Sequence, residues 1–216
     1  MNTDFARLQM VEQQVRAWDV FDPAVLEVLA SVPREQFVPA GFEALAFADT
    51  QIPIGHGESM MTPTVEGRLL QALDLDGTER VLEVGTGTGF LAGCLSRLAD
   101  SVISVDIHDD FLSSAAQNLE DSGISNVELL NMDATTALPN GPFDAIAVTG
   151  SLETFEPRFV DALNPGGRLF VVIGNAPTME ARVIEKTSDS DWQSETIFET
   201  TLKALVNAPL PPQFTF

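Results

Sequence analysis

The 216 residues predict an α/β fold, a doubly wound and mostly parallel sheet with helices on both faces, an N-terminal helical addition and a C-terminal antiparallel strand pair. Three observations carry this. Between about residues 63 and 173, short continuous apolar runs alternate with amphipathic stretches, as in parallel strands buried on both faces and joined by helices. Val81-Leu-Glu-Val84 runs directly into Gly85-Thr-Gly-Thr-Gly89 and then a helical pattern, the strand–turn–helix unit that opens such sheets. Beyond Gly174 the period drops to two, around the turn-forming Thr187-Ser-Asp-Ser-Asp191.

The elements follow in order. Phe5, Leu8, Val11, Val15 and Trp18 recur at helical spacing, and Asp22-Pro23 supplies an N-cap with proline at the first helical position. Val25, Leu26, Val28 and Leu29 form the next apolar face, which stops at Pro33. Residues 39–62 carry Pro39, Gly41, Pro53, Gly55 and Gly57 without a sustained period and read as a long ordered loop, which in a compact domain is usually functional. Thr62-Pro63 restarts a helix with Val65, Leu69, Leu70 and Leu73 inward. Strands are expected over 80–84, 101–105, 127–130, 145–148 and 168–173, with helices over 91–98 and 111–119, the latter opened by Asp109 and Asp110. The last pair spans 180–186 and 193–200. The organisation is one domain over 1–216: helices and loop to 62, a core from 63 to 174, and strands and tail from 175.

Composition narrows the function. With 32 acidic against 11 basic residues the formal charge is −21, and Lys186 and Lys203 are the only lysines. Phosphate binding needs a basic surface, so nucleic acid is excluded as a partner. No stretch approaches the roughly 20 apolar residues of a membrane span, and Met1-Asn-Thr-Asp-Phe-Ala-Arg7 lacks the basic start and apolar middle of a secretion signal. A cytoplasmic protein off the membrane is expected. The single cysteine, Cys94, lies among Leu91, Leu95 and Leu98 and reads as a small buried residue.

The glycine segment points to a ligand. Gly85, Gly87 and Gly89 follow at intervals of two, unlike a dinucleotide fingerprint, and the lysine of a triphosphate-binding loop is absent. Val102-Ile-Ser-Val-Asp106 ends the next strand with an acid about 20 residues after the loop, placed to accept from both hydroxyls of a ribose. Asn131-Met-Asp133-Ala134 ends the third, where an acid can accept from an exocyclic amine. Each acid alone could be a helix cap or turn residue; the three features in register on successive strands favour a ligand.

This segment resembles the first motif of the class I S-adenosylmethionine methyltransferases, which have a Rossmann-like fold. Val32-Pro-Arg-Glu-Gln-Phe-Val-Pro39, Ile52-Pro-Ile-Gly-His-Gly57, Phe143-Asp-Ala-Ile-Ala-Val-Thr149 and Leu163-Asn-Pro-Gly-Gly-Arg-Leu169 more narrowly resemble the protein-L-isoaspartate (D-aspartate) O-methyltransferases. The likeness covers about residues 10–175. It implies a methyltransferase taking S-adenosylmethionine and releasing S-adenosylhomocysteine, with a protein or peptide carboxylate as acceptor. Glu83, Val84, Gly85, Thr86, Gly87, Thr88 and Gly89 would wrap the methionine part. Asp106 with Ile107 would hold the ribose, Asp133 with Ala134 would reach the adenine, and Thr149 would complete the cofactor set. The last strands of the sheet would be exchanged relative to other methyltransferases.

The acceptor loop departs from the family. Its usual Gly-Gln-Thr-Ile-Ser-Gln-Pro becomes Gly57-Glu-Ser-Met-Met-Thr-Pro63, so Met61 stands where the serine beside the acceptor is expected, Ser59 replaces the threonine and Thr62 the glutamine. Ser59, Met61 and Thr62 are the candidate catalytic residues. Met60 and Met61 offer adaptable apolar surface suited either to packing or to a more apolar acceptor. Two rivals remain: the same cofactor with another acceptor, or a cofactor-binding protein without turnover. His56 lies in the acceptor loop, His108 is expected near the cofactor, and two histidines so far apart in sequence do not suggest a metal site.

Overall fold

The structure, a computed structural model, describes residues 3–209; the expectations for Met1, Asn2 and residues 210–216 lie outside the described residues. Asp22 accepts from Ala24 N and Val25 N and so caps α2 (Pro23–Ser31), after α1 (Thr3–Met10). A short α3 (Arg34–Phe37) follows, and Thr62 caps α4 (Pro63–Leu73) by accepting from Val65 N at 3.4 Å. The strand–helix alternation then begins. It comprises β3 (Arg80–Val84), α5 (Phe90–Leu95), β4 (Ser101–Asp106), α6 (Asp109–Asp121), β5 (Val127–Asn131) and β6 (Phe143–Leu152), then α7 (Pro157–Asp161) and β7 (Leu163–Asn175). Finally come β8 (Thr178–Lys186) and β9 (Trp192–Thr200).

The seven strands form one sheet in the order β5-β4-β3-β6-β7-β8-β9. β3 to β7 run parallel to one another, and β8 and β9 add antiparallel, in chain order, at the edge. Alternating strand residues divide into two cores. Val81, Val102, Ala145, Phe170 and Val172 face α4, α5 and the N-terminal helices, while Leu82, Val84, Ile103, Val105, Ile146 and Val148 pack with Phe159 and Val160 of α7 on the other face. Burying each Val, Leu or Ile side chain contributes about 1.5–3 kcal/mol, so a strand buried on both faces is strongly specified. Every residue of β3 from Val81 to Val84 is buried, which fixes the sheet centre from which the glycine segment emerges.

Two expectations are corrected. The face Phe5, Leu8, Val11, Val15, Trp18 is not one buried stripe: Met10, Val11 and Val15 are buried, but Phe5 (58%), Leu8 (53%) and Trp18 (45%) are exposed. After Met10 the chain winds into a π-turn over Val11–Val15 and a 3-10 turn over Arg16–Trp18, ending at Asp19 with φ 62°. Each change of pitch rotates the apolar face away from the i, i+3, i+4 pattern. The second correction lies in the supposed loop: β1 (Ile52–Gly55) and β2 (Glu58–Met60) pair antiparallel as a hairpin. Its turn residues His56 (φ 51°) and Gly57 (φ 73°) are both left-handed, as tight primed turns require. Among the described residues, no helix is long and apolar enough to cross a membrane.

Candidate active site

At the carboxyl end of β3 the chain turns sharply. Gly85 has φ 100°, and a Cβ there would lie 2.1 Å from Thr149 Oγ1, so only glycine lets β3 pass β6 at this point. The Thr149 hydroxyl in turn approaches the carbonyls of Val84 and Gly85 at 2.9 Å each. Gly85 N and Thr86 N both donate to Val105 O, which ties the loop to β4. Thr86 Oγ1 and Ser104 Oγ lie 2.6 Å apart, and Ser104 Oγ donates to Glu83 Oε2.

Two carboxylates frame the loop differently. Asp106 is 8% exposed; its Oδ2 accepts from Gly87 N at 2.9 Å and its Oδ1 from His108 N at 2.9 Å. Each oxygen keeps a further lone pair, so Asp106 shapes the loop and still has acceptor capacity. Glu83 is wholly buried, and among the described residues its Oε1 has no hydrogen-bond partner. Burial pushes its carboxyl up to about 8, against the opposing effect of Ser104. The fold therefore holds an unsatisfied polar atom directly behind the glycine loop, a group that a ligand donor would satisfy.

A cleft of about 810 Å³ opens over these strand ends, lined by Val84, Gly85, Gly87, Asp106, Ile107, Asp133, Ala134 and Thr149 of the expected cofactor set and by Ser59 and Met61 of the expected acceptor set. A smaller recess of about 350 Å³ shares Ser59, Met61, Gly85, Gly87 and Thr149 with it and adds Glu83, Thr86 and Thr88. Two candidates stand apart. Gly89 lines neither space; it caps α5 with φ 83°, and a Cβ there would lie 2.9 Å from Ala115 Cβ, so glycine is needed there for the packing of α5 on α6. Thr62 also lines neither: its hydroxyl caps α4 and lies 3.0 Å from Thr64 Oγ1.

Asp133 already has internal partners. Its Oδ1 accepts from Thr135 N (2.9 Å) and Thr135 Oγ1 (2.6 Å), and its Oδ2 from Asn207 Nδ2 (2.8 Å). Partial burial works against ionisation, but these bonds outweigh it and hold the carboxyl below its usual range. Any contact to an adenine amine must therefore use the remaining lone pairs.

Sequence reasoning missed the residues that support or line the cleft from distant parts of the chain. Arg34 is wholly buried; it pairs with Glu66, itself 3% exposed, donates to Met61 O at 2.8 Å and lies 4.6 Å from the centre of the Phe90 ring. The guanidinium thereby pins the end of the hairpin that carries the acceptor residues. Burial raises Glu66 to about 7, with Arg34 opposing. Among the described residues Lys203 is the one lysine or arginine lining the cleft, and its Nζ donates to Gly57 O (2.9 Å) and Glu58 Oε1 (2.6 Å), tying the chain after β9 to the hairpin. Gln51 and Leu205 line the same space. A signal existed only for Lys203, one of two lysines in an acidic chain. Cys94 is buried, with its thiol pushed well above the ordinary range by burial, as expected of a packing residue. His108 lines the cleft, and the fold stacks His56 on it, so distance along the chain was no guide to their separation in space.

Comparison with known proteins agrees with this geometry. The family profile described as protein-L-isoaspartate(D-aspartate) O-methyltransferase matches residues 6–208. Protein-L-isoaspartate O-methyltransferase 2 of Pelobacter propionicus is 34% identical over 209 residues, covering 96% of this chain and 93% of that protein. The protein-L-isoaspartate O-methyltransferase of Methanoculleus marisnigri is also 34% identical, over 96% of this chain and 92% of its own. A crystal structure from Plasmodium falciparum, described as such an enzyme in complex with S-adenosyl-L-homocysteine, shares the fold with TM-score 0.79 and 21% identity, over 92% of this chain and 97% of that one. The chain thus belongs to the protein-L-isoaspartate(D-aspartate) O-methyltransferase family.

Proposed function

We propose that this protein is an S-adenosylmethionine-dependent O-methyltransferase that esterifies the free carboxylate of L-isoaspartyl residues in proteins and peptides, a protein-repair reaction. The observation that carries the reading is that one cleft is lined both by the Gly85–Gly87 turn with Asp106 and by Ser59 and Met61 of the hairpin, so cofactor and acceptor residues share one space. The residues fit the cofactor: Glu83 keeps an unsatisfied buried oxygen for a donor on the methionine part, Asp106 keeps acceptor capacity for the ribose, and Ile107 and Ala134 offer apolar contact beside Asp133. Gly85, Thr86, Gly87 and Thr88 bring backbone close to the ligand, and Val84 and Thr149 close its floor.

When bound, S-adenosylmethionine supplies an electrophilic methyl group on a sulfonium. The protein's remaining task is modest, because the acceptor carboxyl has a reference pKa near ~4, is already anionic and needs no general base. Alignment and exclusion of water can supply about 7–11 kcal/mol of barrier reduction. Ser59 supports the acceptor carboxylate, since its hydroxyl is engaged only with Gln51 Oε1, at 3.5 Å. Met61 contributes an apolar wall positioned by Arg34 through its carbonyl. Thr62 acts one step removed, by starting α4 at the hairpin's end.

The proposed compartment is the cytoplasm and the proposed organisation a single catalytic domain. Met61 in place of the family's serine favours one second reading, the same cofactor with a different acceptor. The deciding experiment is tandem mass spectrometry of an isoaspartyl peptide after incubation with protein and S-adenosylmethionine. A methyl ester on the isoaspartyl carboxyl supports the first reading; an unmodified peptide, with cofactor binding intact, overturns it in favour of the second.

A further inference from the structure

The chemistry above leaves His56, His108 and Asp110 unused. His56 begins the β1–β2 turn, His108 precedes α6 and Asp110 lies in its first turn. The chain's only two histidines are stacked, with ring centroids 4.1 Å apart and planes 10° from parallel, and the Phe111 ring stands edge-on to both. His56 Nε2 lies 2.9 Å from Asp110 Oδ2 and 3.1 Å from Oδ1. One potential ligand atom of each of the three residues lies within 4.8 Å of the other two. His108 Nε2 is shut off from solvent and has no hydrogen-bond partner among the described residues.

We propose that His56, His108 and Asp110 form a binding site for a divalent transition-metal ion of the zinc, nickel or copper kind at the rim of the cleft. Two imidazoles and one carboxylate suit these ions, whereas magnesium and calcium prefer oxygen-only sets. At metal–ligand lengths of about 2.0–2.2 Å, neighbouring ligands of one ion stand roughly 3 Å apart, which is the separation of His56 Nε2 from Asp110 Oδ2. The ion would take the place of the proton shared by that pair and occupy a lone pair of His108, leaving further positions to water. Parallel rings aim their lone pairs in parallel, so one ring must turn out of the stack. His56 is the ring able to do so, because its side chain is 44% exposed and sits on a two-residue turn. A net charge of −21 raises the local concentration of cations. Because His56 belongs to the hairpin and Asp110 to α6, the bound ion would clamp the hairpin over the cleft whatever the methyl acceptor is.

The test is calorimetric titration of metal-free protein with zinc chloride, in a magnesium background that saturates weak sites on the acidic surface, alongside thermal melts with and without zinc. The expected result is one saturable site per chain and a zinc-dependent rise in Tm. His56→Asn keeps a residue that tolerates the left-handed turn, and it and His108→Gln should each weaken binding tenfold or more, with circular dichroism reporting that the fold is retained. Absence of a saturable site in the parent protein, or equal zinc affinity in the parent and in His56→Asn, would overturn the proposal.

Discussion

Replacing Arg34 by Met removes a guanidinium that is wholly buried and leaves Glu66, 3% exposed, without its partner. An isolated buried carboxylate protonates rather than remain charged. With Arg34 in place burial already holds Glu66 at about 7, so at pH 7 most of the cost of neutralising it from 4.5 is carried by the parent as well, and the loss on removing Arg34 comes chiefly from its own contacts. Breaking a buried pair from one side typically costs ~3–5 kcal/mol. Met61 O also loses a donor, so the damage reaches the acceptor hairpin. Adding Glu66→Leu removes the stranded acid, and the double variant should recover much of the loss in stability while keeping the weakened hold on the hairpin. The assay is the urea midpoint with unchanged slope, measured for parent, single and double variants at pH 7 and pH 5.5. The sign of the pH effect is fixed: Arg34 opposes the upward shift of Glu66, so its loss raises the folded pKa above about 7, and the titration part of the deficit is absent at pH 5.5, where Glu66 is neutral in both proteins, and grows as pH rises through 7. A single variant destabilised by less than about 1 kcal/mol, or a double variant no better than the single, would refute the reasoning.

Asp106→Asn should weaken S-adenosylmethionine binding by about 1.5–3 kcal/mol, roughly ten- to a hundredfold in calorimetric Kd, because a charged acceptor is lost and an amide N–H is set against Gly87 N–H or His108 N–H; an unchanged Kd would remove Asp106 from the cofactor site. Glu83, raised to about 8, is neutral in the fold, so its contribution to stability is fully present below pH 4.5 and falls by about 1.4 kcal/mol per unit as pH rises toward 8. Glu83→Gln should flatten that part of the ligand-free stability profile, whereas parallel profiles would show the carboxyl to be ionised. Gly85→Ala should cost about 1–2 kcal/mol from left-handed backbone alone and more from the contact with Thr149 Oγ1. Adding Thr149→Ala removes that contact, and thermal melts of the double variant should sit between the single and the parent.

What was legible in the sequence was local. Val81 to Phe90 encodes a strand, a turn that needs glycine and the start of a helix within ten residues, and Asp106 and Asp133 stand at or just after strand ends that pattern alone locates. The hairpin was not read because His56-Gly57 lacks the Asn or Asp that signals a primed turn, although histidine tolerates positive φ better than most residues. Arg34 escaped notice because arginine is normally exposed and its partners, Glu66 and Met61, meet it only through the tertiary fold. Lys203 and Leu205 reach the cleft because the chain after β9 runs back over it, as in the hydrogen bonds of Ser151 with Lys203 and Leu205, a path without sequence periodicity. Gly89 packs against Ala115 and Thr62 caps α4, contacts that proximity along the chain to the other candidates did not reveal.

The most direct measurement is the ratio of initial rates of methyl transfer from labelled S-adenosylmethionine to an isoaspartyl peptide and to its normal aspartyl counterpart, with the label scored by release in mild base. The account predicts base-labile label on the isoaspartyl peptide and none above background on the aspartyl one. Equal labelling of both, or label that survives base, would contradict it.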